Sequence, residues 1–546
     1  MKKYIRALSV KRPIALVKTA ALLAAALFLS GCKLQITVPE GGKVVSTSGT
    51  YNCAAGTVCT IDVLDLMFDE TFEALSDEGY TFTGWLKVNQ GFCGGKASAC
   101  RLHTTAFGDY PALMTALTDE NTVTYLQPVF EATAIPVPTP IPTNATERYE
   151  YTLFSPMRST STYLIDEQGN AVHTWASEYT GLSVYLLDNG ELLRPGGIGD
   201  KPSTFSGRTG GSAGVIEILD WESNAIWSAD VATEDYLSHH DVAQLPNGNI
   251  LTIVWEAISA DEALALGRSS LSDDTLWADA IYEICRSSES NHCTDGEIVW
   301  AWSVWDHVVQ DTDRSITSTY VSNVSNVSKH TDKIDLNFFT GQGSSDWTHI
   351  NSVDYNADTD EILVSVRSFN EYWIIDHGDS NQGIVSRVGN PSAYGGTGEQ
   401  TLFVQHDAQW IDEGLPGAGN ILVFNNGFGR PEGDYSSVDE FCYDGDDCTP
   451  GEMISSYSEG VSGDFYADHI SGAQRLENGN TLVCEGTEGR LFEYNNSHEI
   501  VWEYNHGSEI FRATRYYSDY SGLTEWETRS GEKFPAYTSG VSPSIF

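Results

Sequence analysis

The feature that most constrains this chain is a degenerate repeat across residues 148–546, in which an apolar run, an Asn-Gly turn and a second apolar run recur. Clear copies are Leu186-Leu187-Asp188-Asn189-Gly190-Glu191-Leu192-Leu193, Leu245-Pro246-Asn247-Gly248-Asn249-Ile250-Leu251 and Leu476-Glu477-Asn478-Gly479-Asn480-Thr481-Leu482-Val483. Looser copies lead from Tyr355 to Val364 and from Pro416 to Val423. Asn-Gly between apolar runs favours a tight hairpin, because both turn residues tolerate positive φ. A second hairpin follows each unit and often closes on tryptophan, as at Trp227, Trp300 and Trp502. A further closing hairpin, from Thr162 to Trp175, precedes them without a leading half, and the segment near Ile510–Thr514 is its natural partner. Four-stranded sheets repeated around an axis, with the two ends of the chain sharing one sheet, describe a β-propeller. The expected fold is all-β, a six-bladed propeller. A β-sandwich or solenoid also carries hairpin repeats but leaves the split first unit unexplained.

The chain has 546 residues, room for such a propeller and an appendage. Residues 32–133 read as a small β-rich, surface-repeat-like domain, with alternation at Leu34–Val38 and Thr122–Leu126 and no catalytic constellation. Residues 134–147 hold four alternating prolines (Pro136, Pro138, Pro140, Pro142) and read as an extended linker. Residues 1–31 read as an export leader: a basic start, then an apolar stretch from Ala20 to Leu29 that is too short for a comfortable membrane span. It ends in Leu29-Ser30-Gly31-Cys32, which resembles a bacterial lipobox with Cys32 as the lipidated first residue. Lys33, where an Asp would mark retention, favours an outer-membrane lipoprotein facing the periplasm or the cell surface.

Cysteine usage fits an oxidising compartment. Cys53/Cys59, Cys93/Cys100, Cys285/Cys293 and Cys442/Cys448 form close pairs expected as local disulfides, and none has the CxxC spacing of a metal site. Cys484 is left over in a strand-like run, where a buried free thiol is expected. The formal net charge of −46 argues against a nucleic-acid partner, which needs a cationic footprint. A small anionic substrate needs only a local positive pocket, so that class stays open.

Chemistry enters through histidines in register with the repeat. His240 lies eight residues before Gly248, and His349 eight before Ala357. His406 opens a longer unit that ends at Asn420, and His469 precedes Gly479 by ten. In a propeller the strand feeding such a turn is the innermost, so repeat symmetry brings these residues to one mouth of the axis. Asp241 and Asp407 follow two of them and are either orienting partners of the imidazoles or ordinary strand-end acids.

These residues also carry a family resemblance. Asp346-Trp347-Thr348-His349-Ile350-Asn351-Ser352-Val353-Asp354-Tyr355, followed by Arg367 in Val364-Ser365-Val366-Arg367-Ser368, resembles bacterial arylsulfate sulfotransferases of the PAPS-independent, exported type. His239-His240-Asp241, Gln405-His406-Asp407-Ala408 and Phe424-Asn425-Asn426-Gly427-Phe428-Gly429-Arg430 look like the same family, over about residues 148–520. The resemblance implies a six-bladed propeller that moves a sulfuryl group from an aryl sulfate donor to a phenolic acceptor through a sulfated histidine, with no cofactor. Carried over, His406 matches the nucleophile, while His240, His349 and Arg367 match residues around the sulfate. His239, Asn351, Arg430 and His469 are further candidates for substrate binding. In the family's best-known members a cysteine pair precedes the nucleophilic His, whereas Cys442/Cys448 follow it here. The residue types suit the chemistry: neutral imidazole is a good nucleophile, and an arginine forks onto two sulfuryl oxygens. Competing readings are a non-catalytic propeller binding glycans or proteins, and imidazoles converging on a transition metal.

Overall fold

The computed structural model describes residues 33–39, 41–62, 68–76, 80–88, 91–96, 98–103, 122–132, 149–206, 210–271, 273–286, 293–322, 324, 332–338, 345–378, 383–443, 448–460 and 465–530. The leader, Cys32 and the proline-rich linker lie outside these residues. The chain divides into two compact units, Met1–Pro136 and Val137–Phe546.

In the first unit, strand Lys33–Thr37 pairs antiparallel with Val58–Asp62 and parallel with Val123–Leu126. A second sheet orders Asn52–Cys53, Gly42–Ser46, Asp69–Ser76 and Cys100–His103. Alternation sends Leu34 and Ile36 into a core with Val44, Phe72, Trp85 and Leu126. Disulfides Cys53–Cys59 and Cys93–Cys100 close short loops, with Cys53 and Cys100 buried in that core.

The second unit is a β-propeller of six antiparallel blades, five of them four-stranded and one with its innermost strand in two short pieces. From the axis outward, the third blade runs Tyr236–Gln244, Ile250–Ser259, Thr275–Ile284, Ile298–Ser303, and the fourth Ile350–Asn356, Glu361–Val366, Glu371–Asp376, Ile384–Val388. The fifth runs His406–Trp410, Ile421–Asn425, Ser437–Phe441, Met453–Ser458, and the sixth Gly472–Arg475, Thr481–Glu485, Arg490–Tyr494, Ile500–Asn505. In the second blade the innermost position is split between Thr180–Gly181 and Tyr185–Leu186, both paired with Leu192–Gly197 ahead of Gly214–Leu219 and Ala225–Asp230. The first blade joins both ends of the unit: Ile510–Tyr517 is its innermost strand, pairing with Glu150–Pro156 ahead of Ser161–Ile165 and Ala171–Ala176. The expected split unit is therefore closed by one C-terminal and three N-terminal strands. The remaining disulfides, Cys285–Cys293 and Cys442–Cys448, follow the third strands of two blades, and Cys484 is buried and free.

The hairpin turns differ from the expected type. Only the glycine adopts positive φ (82° at Gly190, 89° at Gly248, 85° at Gly479), and the preceding Asn does not. Gly248 N–H donates to Leu245 O, and Leu245 N–H to Asn249 O, so Pro246-Asn247-Gly248 forms a type I turn with a left-handed glycine bulge. Asn247 Oδ1 accepts from Asn249 N–H at 2.9 Å, which explains the Asn without any positive φ.

Burial comes in layers between blades. One apolar cluster joins each adjacent pair, such as Leu251, Ile281 and Trp302 of the third blade against Ile350, Val364 and Trp373 of the fourth. Polar staples repeat above these layers. Asn249, Asn420 and Asn480 each donate to a glutamate on the third strand of their own blade: Glu283, Glu440 and Glu493, at 2.5, 2.6 and 2.6 Å. Each glutamate then meets a basic side chain from the next blade: His377 at 3.3 Å, Arg475 at 3.0 Å and Arg515 at 3.4 Å.

Candidate active site

Bulges in the innermost strands aim the histidines. His240 (φ 59°), His349 (φ 53°) and Asp407 (φ 53°) all take left-handed backbone, which non-glycine residues seldom adopt. His240 sits at a bulge between His239 and Val242, and Asp407 at one between His406 and Gln409; His349 precedes a third, between Ile350 and Ser352. Each bulge breaks the alternation of the strand and re-aims a side chain. His240 lies inside its strand rather than at the start, because that strand continues back to Tyr236 along the ten-residue Ile250–Ser259.

The imidazoles meet as the register implied. His240 and His349 have ring centroids 4.8 Å apart, edge to face. His239 stacks on Trp255 at 3.9 Å, and its Nδ1 is 2.7 Å from Nδ1 of His240. Its Nε2 lies 2.9 Å from Asp279 Oδ1, off the line of a hydrogen bond. Asp279 Oδ2 is held by Thr348 Oγ1 and by Ile350 N–H at 3.0 Å. Gly211 O accepts from His240 N–H at 2.7 Å, and a Cβ on Gly211 would come within 2.2 Å of the His240 ring. His349 Nδ1 lies 2.5 Å from Asp346 Oδ2.

His406 is 3 % exposed. Its Nδ1 faces Asn426 Oδ1 at 2.7 Å, and Ile470 N–H points at its Nε2 from 3.2 Å. Burial, then the charge of Arg367, hold its pKa well below the ordinary histidine value, against the opposing hydrogen bond to Asn426. Burial and the fields of His349, His239, His406 and Arg367 push His240 down likewise. Both rings are therefore neutral near pH 7. Arg367 follows strand Glu361–Val366, and its backbone N–H donates to His349 O at 3.1 Å. Its guanidinium makes no side-chain hydrogen bond or ion pair among the described residues. Burial draws its pKa down while Asp346 and Asp468 draw it up. Burial also pushes Asp346 upward, but His349, with His239 and Arg367 behind it, brings its pKa net below the usual value.

The other candidates lie at different distances from this cluster. His469 is half-exposed, pairs with Asp468 at 2.5 Å and acts electrostatically on His406. Asn351 is fully buried, and its Nδ2 donates to Gln405 O at 2.8 Å beside His406. Arg430 turns into its own hairpin, donating to Tyr435 O at 3.2 Å and Ser437 Oγ at 2.7 Å and lying over the Tyr435 ring. Among the described residues, the side chains of Asp241 and Asp407 make no hydrogen bond or ion pair to an imidazole. They converge on Arg512 of the closing strand, at 2.7 Å and 2.9 Å, where Tyr185 also accepts from the guanidinium. They are channel-crossing ion pairs, neither orienting partners nor simple strand-end acids.

Sequence reasoning missed Asn426 as a partner of His406, although it lies in the quoted Phe424–Arg430 stretch. It also missed Asp279 and Arg512, which no local pattern marks. Among the described residues, no group of three or more His, Cys, Asp or Glu side chains is arranged to hold a metal ion. No described helix is long and apolar enough to cross a membrane.

A family model described as arylsulfotransferase (ASST) matches residues 144–526. No curated protein matches the sequence. Similar solved structures include a protein of unknown function from Bacteroides caccae, at 11% identity over 67% of this chain and 98% of that one, with a TM-score of 0.39. Another is AztD from Citrobacter koseri, at 10% identity over 68% and 99%, with a TM-score of 0.35. A third is a virginiamycin B lyase from Staphylococcus aureus, at 9% identity over 66% and 91%, with a TM-score of 0.32.

Proposed function

The chain belongs to the arylsulfotransferase family, and from that premise we propose that it moves a sulfuryl group from an aryl sulfate ester to a phenolic acceptor through a sulfated His406, with no nucleotide donor. The observation that carries this reading is the neutral His406, buried within the field of two further imidazoles and of a guanidinium that makes no side-chain hydrogen bond or ion pair among the described residues. Sulfuryl transfer resembles phosphoryl transfer, with a loose transition state whose charge spreads over the equatorial oxygens. Arg367 is the fork for two of those oxygens, and His240 and His349 are the donors that hold the third or protonate the departing phenolate. His469, half-exposed beside His406, lines the route by which the aryl group arrives. Asn351 supports the backbone at Gln405 and so acts on substrate only through His406. The resemblance of Leu29–Cys32 to a lipobox, together with four disulfides, supports an exported lipoprotein of the outer membrane.

The test is incubation with a chromogenic aryl sulfate, with and without a phenol, followed by mass mapping after donor alone. An increase of about 80 Da, the mass of SO₃ on a covalent nucleophile, is expected on the peptide containing His406. His406→Ala should abolish both half-reactions, and full turnover by that variant would sink the mechanism. The same mass on His240 or His349 would move the nucleophile and leave the site in place.

A further inference from the structure

Each imidazole around the site sets its Nδ1 against a partner, and the partners differ in kind. His349 meets Asp346 and His469 meets Asp468, both at 2.5 Å. His240 meets His239, whose far side faces Asp279 at 2.9 Å. All three runs end on a carboxylate. His406 ends instead on a carboxamide, that of Asn426.

That amide cannot be turned round. Its Nδ2 donates to Ala467 O at 2.8 Å and to Ile470 O at 3.0 Å, two groups that only accept. Oδ1 must therefore face the ring, and because Oδ1 also only accepts, Nδ1 of His406 carries the proton. The lone pair then sits on Nε2. The Ile470 N–H aimed at Nε2 agrees, since it can only donate. Ile470 holds φ at 49°, a costly conformation for a β-branched residue, and it is the backbone of Ile470 that contacts both the ring and the amide.

Resting on the reading of His406 as the nucleophile, we infer that Asn426 is a positioning residue that locks the ring with its proton on Nδ1 and its lone pair on Nε2, and keeps that proton on the ring in the sulfated state. In the first step the Nε2 pair, released from the Ile470 N–H, forms the N–S bond, the aryl O–S bond breaks, and its electron pair leaves on the phenolate oxygen. The ring, still protonated at Nδ1, now carries positive charge; in the second step a phenol gives its proton to His240 or His349 and forms the new O–S bond, while the N–S bond breaks and its electron pair returns to Nε2. A carboxylate in place of the amide would orient the ring as well, but would favour the imidazolium beforehand and accept the Nδ1 proton afterwards. The resting enzyme would then lose its lone pair, and the sulfated ring would become a neutral, slower leaving group. Partner type thus sets His406 apart: its ring alone is backed by an amide, which keeps it without a second proton.

Nitrogen-15 NMR of the full chain labelled at histidine, with His406→Ala for assignment, reads the tautomer directly. A protonated Nδ1 and an unprotonated Nε2 are expected for His406 at neutral pH, and the reverse would overturn the inference. In Asn426→Asp, the acid limb of phenol release in the donor half-reaction should move up by about one to three pH units, the range an adjacent opposite charge produces. At a pH where both proteins lie on the acid limb, release by the variant should then be about ten- to a thousandfold slower than by wild type, since one unit is a factor of ten, and the sulfated enzyme should persist longer when acceptor is added. A wild-type acid limb and lifetime in that variant would refute the role of Asn426. Absence of sulfate on wild-type His406 would instead refute the nucleophile itself, so the two failures are distinct.

Discussion

Replacing Arg512 by methionine should unfasten the axis of the propeller while leaving the apolar stem in place. Asp241 and Asp407, 0 % and 3 % exposed, would lose the guanidinium that lies 2.7 and 2.9 Å from them. Removing one partner of a buried ion pair costs about 3–5 kcal/mol, because the other charge stays buried without compensation. Unfolding about 400 residues at roughly 2.1 cal/mol/K each gives an entropy near 0.8 kcal/mol/K, so a loss of about 4 kcal/mol lowers Tm by about 5 °C. The loss must depend on pH. Burial already pushes Asp407 up to about 6, with Arg512 pulling it down and Asp241 pushing it further up. Without Arg512 its folded pKa rises again, farther above the unfolded value of about 3.9. A carboxyl raised in the folded state stabilises at low pH and loses that contribution as pH climbs through the folded value. Scanning calorimetry at one scan rate should therefore find a small deficit at pH 5 and the full one at pH 8, and Asp407→Asn in the Arg512→Met background should recover part of it. Equal deficits at both pH values, or none at pH 8, would refute the electrostatic account.

Three further outcomes are expected. Burial lowers the pKa of His377, but its hydrogen bonds to Glu283 and Asp360 outweigh this and leave it net raised; the staple therefore stabilises below the unfolded value of about 6.5 and fades as pH rises through the folded one. His377→Asn should flatten that part of the Tm profile, and an unchanged slope would count against it. Arg367→Lys should cut kcat by about 10²–10³, the usual loss for one preorganised donor, because an ammonium lacks the planar fork; near-normal turnover would remove Arg367 as the clamp. Cys32→Ser should release the protein from membranes or block its processing, and unchanged membrane partition would count against lipidation.

What could be read in the sequence follows the repeat, and what could not lies across it. Asn-Gly turns at Asn189, Asn247 and Asn478 located blades because turn chemistry is local, and the histidines converged because equivalent strands share one axis. The turn type was misjudged because Asn247 uses its side chain, not positive φ, to hold the loop. Arg512 reaches Asp241 from 271 residues away, and Asp279 reaches His239 from another strand; neither contact has a periodicity to betray it. Asn426 stood inside a recognised stretch, yet its role depends on two carbonyls, Ala467 and Ile470, more than forty residues onward.

The shared first blade also sets an order of assembly. Glu150 and Arg515, paired in that blade, stand 365 residues apart, so the ring stays open until nearly the whole unit has emerged during synthesis. The five blades before it can form hairpins locally, but the axis lacks Arg512 until the last strand docks. A nascent or truncated chain ending before Ile510 would hold every candidate histidine and still present an unsealed channel with two unpaired acids facing it. Such late, long-range closure is slow, since loop entropy is lost before the contacts repay it. Under the export proposed above, that delay would keep the polypeptide loose enough to thread and confine the assembled site to the compartment where the final strand arrives.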